Sequence, residues 1–448
     1  MNKTSQVKGL SWEEKLARRG RLAWIIWSVA MLAQILNTFH RVAAGPAVDR
    51  IMADLGVTAA TWGALMSMYF YIYAMVQFPA GIMADSLGPR KTIAAGCIIS
   101  TVGSCIFGLA PSIEILFLGR IVLSLGVSLV YVNLLKLVID WFKSRHFARM
   151  VGINSMLITL GSLIGTTPMA LLISGVGWRW SFEILSIINL AVCILCWVII
   201  RNKPSEVGLP PPDAAQEDSP IKESQLNSKG QIKGELRQNI RYVLTSRHIW
   251  LTFLIGMGLY GTNLVFLAAW GIPYLMQVYG MSREGSANVM LFMLVAHLIT
   301  LPVLTYISDR FSLIKIPIFT CTLVNLAALL ALVFWNGGQP PLAVAFLVFI
   351  LSGTCLSAWP FAYVLVRENM PPSMSGLAMG MINVSPFISA AIFQMLVGFV
   401  LDANWQGVII EGVRQYPVSA YQSGFMLVLL PAAAAVIGAV LLKYYRRN

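Results

Sequence analysis

A few ionisable side chains of this sequence lie inside long apolar segments. Arg41 follows His40 in LNTFHRVAAG, and Lys136 lies in YVNLLKLVIDW. Ionisable groups inside an apolar span are costly and usually face a cavity. Because arginine stays charged and presents a bidentate fork to carboxylate or phosphate, Arg41 with Lys136 predicts an anion-binding site. The alternative for each cation is that its side chain extends along the span to the headgroups.

Two histidines also lie within apolar stretches. His40 is adjacent to Arg41, and His297 lies in MLFMLVAHLITLPVL. Histidine titrates near neutral pH, so His40 is a candidate for coupling a proton to binding. The alternative for His40 is simple hydrogen bonding among packed helices, and that is what we expect for His297.

A polar stripe accompanies these residues. Tyr69, Tyr73 and Gln77 recur at i, i+4 and i+8 in MSMYFYIYAMVQFPAG, so they share one face of a helix. Asn133 shares a face with Lys136 at i, i+3. Such hydroxyls and amides suit an oxygen-rich solute, and their alternative role is to join neighbouring helices. Weaker candidates in the second half are Tyr260, Asn263, Trp270, Asn383 and Gln394.

The composition indicates whether these segments lie in water or in lipid. Of 448 residues, 57% are hydrophobic and 11% are charged, and the mean hydropathy is +0.74. A soluble domain carries roughly 25% charged residues. The composition therefore excludes an ordinary cytosolic enzyme, a secreted disulfide scaffold and a disordered chain, and it predicts a protein embedded in the lipid bilayer. The net charge of +13 is dispersed in short clusters, which argues against nucleic acid.

The cysteines indicate packing rather than chemistry. All six lie in apolar segments, and the Cys193-x-x-Cys196 pair lies in AVCILCWVII without further metal ligands nearby. We expect no metal, no cofactor and no catalytic residues, because no nucleophile–base pair, metal cluster or nucleotide-binding loop stands out. The sequence thus predicts a protein that is not an enzyme.

Twelve stretches are long and apolar enough to cross a bilayer, which requires about 20 residues. They divide the chain into a cytoplasmic segment 1–21, a six-helix bundle 22–201, a cytoplasmic linker 202–247, a second six-helix bundle 248–443 and a cytoplasmic tail 444–448. The linker is rich in Pro, Ser, Gln and charge, so we expect a tether there. The spans are expected at 22–48, 60–84, 91–110, 113–139, 148–174, 180–201, 248–277, 286–308, 313–335, 341–366, 374–401 and 418–443.

The distribution of Lys and Arg orients this arrangement. Of 32 such residues, only Arg50, Arg179, Arg283 and Arg414 fall in the expected external loops. Because positive residues accumulate on the cytoplasmic side, both termini are predicted to be cytoplasmic. Six spans, a long internal loop and six further spans are typical of a two-bundle secondary transporter, with its substrate site between the halves.

The loop after the second span carries a family resemblance. GIMADSLGPRK resembles the loop signature of the major facilitator superfamily, and Asp309-Arg310 resembles its second copy. Arg120, in FLGRIVLSLGVSL, is similar to the superfamily's Arg-plus-glycine motif. The resemblance implies an all-α fold of twelve transmembrane helices in two bundles, alternating access, and gating residues at Gly81, Asp85, Gly88, Arg90, Lys91 and Arg120. The small Gly81 and Gly88 are expected to allow close backbone approach, and Arg90 to hold the charge of Asp85.

The cavity residues resemble one group within the superfamily. Arg41, the Tyr73-x-x-x-Gln77 pair and a cation five residues before Trp141 are similar to the anion:cation symporters, which carry organic anions. In that group an acidic residue involved in proton coupling precedes the first-span arginine, where this chain has His40. The resemblance implies a monomeric plasma-membrane symporter of a small organic anion and a proton. An exporter of drug-like or cationic compounds and a transporter-like sensor are the alternatives.

Overall fold

The computed structural model describes residues 11–143, 146–212, 241–311, 314–370 and 372–442. Within these residues the fold is helical apart from one short hairpin. The helices are α1 Trp12–Val42, α2 Val48–Leu55, α3 Ala59–Ser86, α4 Pro89–Gly108, α5 Ile113–Ser128, α6 Val130–Trp141, α7 Phe147–Ile164, α8 Thr167–Val176, α9 Trp178–Ile199, α10 Arg247–Gly256, α11 Thr262–Val265, α12 Gly271–Tyr279, α13 Arg283–Phe311, α14 Lys315–Phe334, α15 Leu342–Leu356, α16 Phe361–Asn369, α17 Pro372–Ala403 and α18 Val418–Leu441. The hairpin pairs β1 Ile409–Ile410 with β2 Val413–Arg414.

Most of these helices have the length and composition of membrane spans. Among the described residues, eleven helical stretches are long and apolar enough to cross a bilayer. They coincide with the expected spans, except for the second. At that place α3 is a continuous helix of 28 residues, long enough to cross, but its Tyr and Gln residues lower its hydropathy. The fold is therefore all-helical with about eleven or twelve membrane-spanning helices.

Several spans are interrupted, which the hydropathy pattern did not predict. The first expected span ends as a regular helix at Val42, and a 3₁₀ turn at Gly45–Ala47 with Pro46 near its start separates it from α2. Span seven contains two π-helical segments, Met257–Gly261 and Phe266–Trp270. Such π segments are frequent at functional sites because they shift which side chains face a neighbouring helix.

The chain divides into two compact units. Unit 1 comprises residues 1–41, 75–164 and 176–227, and unit 2 comprises residues 42–74, 165–175 and 228–448. The end of span one, the first part of span two and the end of span five thus belong with the second half of the chain. The expected division placed the boundary at the linker. The observed division depends instead on the contacts of each segment.

Unit 1 has its core where α1, α4, α6, α7 and α9 meet. Trp27, Trp141, Cys193 and Cys196 are buried in one apolar cluster, which agrees with a packing role for the cysteines. Glycine allows α4 and α5 to approach closely, because a Cβ at Gly103 would lie 2.2 Å from the backbone nitrogen of Leu123. Small residues at such contacts are the usual means of helix packing in membranes.

Unit 2 has its core around α10, α14, α15 and α18, with a second apolar cluster at α16 and α17. In a group of rings at one end, Tyr274 packs edge to face with Tyr421 and Phe425. Aromatic pairs of this geometry add stability beyond their buried area. The start of α3 packs in this unit against α17.

Candidate functional site

Arg41 lies at the end of α1, directly before the interruption of span one. Its side chain is 8% exposed, which does not fit the alternative of a side chain extended to the headgroups. Arg120, in α5, is fully buried beside it and donates hydrogen bonds from Nη1 to the carbonyl oxygen of His40 and from Nη2 to that of Arg41, at 3.3 and 3.4 Å. The last carbonyls of a helix lack partners within the helix. Arg120 therefore stabilises the end of α1 and the position of Arg41.

His40 occupies the same turn and is fully buried. Neither ring nitrogen has a hydrogen-bond partner among the described residues. Its ring lies next to that of Phe39, with centroids 6.2 Å apart. Both nitrogens thus remain available to a solute or a proton, and the simple hydrogen-bonded alternative for His40 has no partner in the described structure.

Asn133 and Lys136 share one side of α6, as the spacing predicted. The amide Nδ2 of Asn133 donates to the carbonyl oxygen of Leu129 at 2.7 Å, and its Oδ1 is buried without a partner among the described residues. Lys136 forms an ion pair with Asp140 one turn later, Nζ to Oδ1 3.8 Å. Both Lys136 and Asp140 line a cleft of about 410 Å³ together with Gly88 and Asn202 of unit 1. Binding of substrate by Lys136 stays a prediction.

The signature loop is held by the end of span six. The Nε and Nη2 atoms of Arg90 donate to the carbonyl oxygen of Trp197 at 2.9 and 2.8 Å, and its guanidinium lies 4.7 Å from the Trp197 ring. The side chain of Asp85 lies outside the described residues, so the expected interaction of Arg90 with that charge stays untested. Lys91 is exposed.

The two signature glycines differ. Gly88 has φ +84°, and a Cβ there would lie 2.7 Å from Oδ1 of Asn202, so a larger residue is excluded by both conformation and space. At Gly81 a Cβ would meet no described atom within 4 Å. The expected close approach at Gly81 therefore stays a prediction.

The first residues of the expected linker are ordered, which the tether prediction did not anticipate. Pro204–Val207 forms a 3₁₀ helix. The carboxylate of Glu206 accepts hydrogen bonds from the backbone nitrogen and the Nδ2 of Asn202, while Oδ1 of Asn202 accepts from the backbone nitrogen of Arg90 at 2.9 Å. These bonds attach Asn202–Gly208 to the signature loop. The linker from 213 to 240 lies outside the described residues.

The polar stripe on α3 divides between the two units. Tyr69 and Tyr73 are buried in unit 2, with parallel rings 6.2 Å apart, and Phe387 of α17 lies 4.8 Å from the Tyr73 ring. Gln77 belongs to unit 1, and its Nε2 is buried without a hydrogen-bond partner among the described residues. Because α3 is continuous, the three side chains remain on one face as predicted.

The weaker candidates of unit 2 are mostly engaged in helix packing. Asn383 accepts a hydrogen bond from Tyr363 at 2.7 Å. Gln394 accepts at its backbone oxygen from Nε1 of Trp270 and donates from Nε2 to the carbonyl oxygen of Leu264. His297 was expected to be hydrogen-bonded, and its Nδ1 lies 3.0 Å from Oγ of Ser357, which confirms that expectation.

Sequence reasoning missed the charged contacts at one end of unit 2. The carboxylate of Asp49 accepts hydrogen bonds from Nε of Arg283 at 3.2 Å and also from its Nη2. The interruption of span one starts a new helix at Val48, so Asp49 lies in α2 and not in α1. Asp402 of α17 was also missed. It follows Gly398 by four residues, a spacing that repeats Gly81-x-x-x-Asp85 and was readable in the sequence.

Comparison with known proteins identifies the family. The profile of the Major Facilitator Superfamily matches residues 30–394. The chain belongs to the Major Facilitator Superfamily. It is therefore a multi-pass membrane transporter of the secondary type and not an enzyme, as the signature loop indicated.

Two named transporters are similar to this chain over most of its length. The hexuronate transporter of Bacillus subtilis is 24% identical over 384 residues, covering 83% of this chain and 86% of its own. The probable L-galactonate transporter of Escherichia coli is 22% identical over 394 residues, covering 85% and 84%. Their names describe transport of organic anions, and this supports the resemblance to the organic-anion group.

Solved structures of the superfamily share the fold. A bacterial homolog of the human lysosomal transporter Spinster, crystallised inward-facing and unoccupied, superposes with a TM-score of 0.73 at 18% identity and covers 94% of this chain and 96% of its own. At this identity the similarity shows the fold alone.

Proposed function

We propose that this superfamily member is a plasma-membrane symporter that moves a small organic anion, a carboxylate, together with protons, and that both termini face the cytoplasm. The observation that carries the proposal is the pair of buried guanidinium groups, Arg41 and Arg120, at the end of α1. Arg120 donates to backbone carbonyl oxygens. We assign the substrate carboxylate to Arg41, because a guanidinium offers a bidentate fork that matches a carboxylate.

Two buried polar groups of unit 1 favour a hydroxylated anion. His40 and the Oδ1 of Asn133 have no hydrogen-bond partner among the described residues of unit 1. An unsatisfied buried polar atom costs free energy that a bound hydroxyl recovers. The names of the similar proteins, a hexuronate transporter and a probable L-galactonate transporter, point to the same class of polyhydroxylated carboxylates.

Coupling to protons is assigned to His40. A proton bound at His40 would enter together with the anion, so that little net charge crosses the membrane. Importing the anion then draws its energy from the proton gradient. In the wild-type chain, uptake is expected to increase as the external pH falls.

The test is uptake by the purified full chain in proteoliposomes. Labelled hexuronate, galactonate and the matched neutral hexose are each supplied with and without an inside-alkaline pH gradient. The proposal expects uptake of a sugar acid that the gradient accelerates, and no uptake of the hexose. Uptake restricted to lipophilic cations would contradict it in favour of an exporter. Thermal stabilisation by a sugar acid without any uptake would contradict it in favour of a sensor.

A further inference from the structure

Within unit 2, the start of α3 and the end of α17 run antiparallel with almost no space between their backbones. A Cβ at Gly63 would lie 2.5 Å from the carbonyl oxygen of Gln394, and a Cβ at Gly398 would lie 2.3 Å from that of Ala59. Oγ of Ser67 donates to the carbonyl oxygen of Ala391 at 2.6 Å. One glycine from each helix therefore permits a contact that no larger residue would allow.

The carboxylate of Asp402 closes the end of this contact. It accepts from the backbone nitrogens of Ala59 and Ala60 at 3.2 and 2.8 Å. The hydroxyl of Tyr416 donates to Asp402 Oδ1 at 2.7 Å and accepts from the backbone nitrogen of Ala59 at 3.0 Å. Arg414 adds an ion pair at 3.6 Å. The first nitrogens of α3, which have no partner inside their own helix, are satisfied by a side chain from another helix.

The location of Asp402 makes its charge depend on the contact between α17 and α3. It lies one residue before the C-terminal end of α17, where the helix dipole disfavours a negative charge. The N-terminus of α3 supplies the opposite end of a dipole. If the two helices separated, Asp402 would remain beside the last carbonyl groups of α17. The first backbone nitrogens of α3 would lose their acceptor. Both effects oppose opening of the contact.

The sequence carries the same spacing at the two ends of the transporter. Gly398 precedes Asp402 by four residues in GFVLD, and Gly81 precedes Asp85 by four in GIMAD. Each pair ends its helix, α17 or α3. In α3 the signature pair lies at the helix end opposite the residues that contact Asp402. A Gly-x-x-x-Asp pair therefore lies at each end of α3. Gly81 and Asp85 belong to the end of α3 itself, whereas Gly398 and Asp402 belong to α17 and contact the start of α3.

We propose that Gly398 and Asp402, with Tyr416, form an external latch that holds the outer ends of α3 and α17 together when the transporter is closed to the outside. The outward position of this end follows from the proposed cytoplasmic termini. The ion pair of Arg283 with Asp49 lies in the same unit and acts beside it. The latch controls access and contributes no substrate contact, so its test needs no substrate and is separate from the anion assignment.

Ser67 provides the reporter, because it is buried in the contact of α3 with α17. In cells carrying the full chain with Ser67→Cys, a membrane-impermeant maleimide applied outside is expected to react slowly. Asp402→Ala is expected to increase that rate at least about tenfold, because it removes every hydrogen bond that this carboxylate accepts. Tyr416→Phe is expected to increase it by a smaller factor. The chain without Ser67→Cys gives the background from the six native cysteines.

Two controls separate a latch from general loosening. Glu411→Gln removes an exposed charge in the same loop and is expected to leave the labelling rate unchanged. Ser100→Cys, buried in unit 1, is expected to stay unlabelled with Asp402→Ala. An unchanged rate at Ser67→Cys with Asp402→Ala would overturn the proposal. Equal acceleration at Ser100→Cys would also overturn it, because the variant would then have loosened the whole fold.

Discussion

Nη2 of Arg120 donates a hydrogen bond to the carbonyl oxygen of Arg41 at 3.4 Å, so one buried arginine holds the backbone of another. The contact joins α5 to the last turn of α1 within unit 1. Arg120 interacts with carbonyl dipoles, and Arg41 is assigned to the substrate.

Replacing Arg120 should therefore reduce stability as well as transport. Arg120→Lys retains the charge, but an ammonium lacks the planar fork that reaches the His40 and Arg41 carbonyls together. We expect a lower unfolding temperature, with a loss of roughly 1.5–3 kcal/mol for a hydrogen bond to a charged group. Thermal unfolding of the purified protein measures it. Arg50→Lys, at an exposed position, is the matched control, and equal midpoints for both variants would argue against the supporting role of Arg120.

The role of His40 is accessible through the pH dependence of uptake. Wild-type uptake is expected to rise as the external pH falls from about 8 to about 6, because the proton gradient that drives the symport then increases. His40→Asn should flatten this profile, because an amide carries no proton, and His40→Asp should restore a pH dependence at lower pH. Initial uptake rates across this range are the measurement. A profile for His40→Asn that parallels the wild type would remove His40 from proton coupling.

Much of the fold could be predicted from local sequence, because the length of an apolar stretch is a local property. The interruption after Val42, the π segments of span seven and the partner of Asp49 could not be predicted. They depend on contacts between residues far apart in the chain, such as Asp49 with Arg283.

The sequence also predicted part of the candidate site. Residue type and spacing selected Arg41 and the stripe on α3. Spacing could not show that Lys136 lies within ion-pair distance of Asp140, since an i, i+4 pair forms only when neither side chain has a better partner.

Lys136 could bind the anion or only pair with Asp140, and uptake kinetics distinguish these two roles. If Lys136 binds the anion, Lys136→Gln should raise KM at least several-fold, while Asp140→Asn should leave KM near the wild-type value. If the residues serve only as a partly exposed pair, both variants should change stability by about 1 kcal/mol or less and leave KM unchanged. Uptake kinetics with thermal unfolding on the same preparations decide between the two.

Tyr73 should contribute a single hydroxyl to the substrate. Tyr73→Phe retains the ring contact with Phe387 and removes only the oxygen. A lost neutral hydrogen bond of about 1 kcal/mol corresponds to a rise in KM of about fivefold. Tyr71→Phe, on another face of α3, is the control. Equal KM values for the Tyr73 and Tyr71 variants would indicate that the stripe serves helix packing.

The most direct test of the central claim is thermal stabilisation of the purified protein by a panel of sugar acids, sulfonates, neutral sugars and lipophilic cations. A ligand that binds the folded state raises the unfolding temperature by mass action. We predict stabilisation by a sugar acid that is lost in Arg41→Ala and retained in the exposed control Arg50→Ala. Stabilisation only by cations, or by an anion to the same extent in Arg41→Ala, would contradict the assignment of Arg41 as the residue that binds the substrate carboxylate.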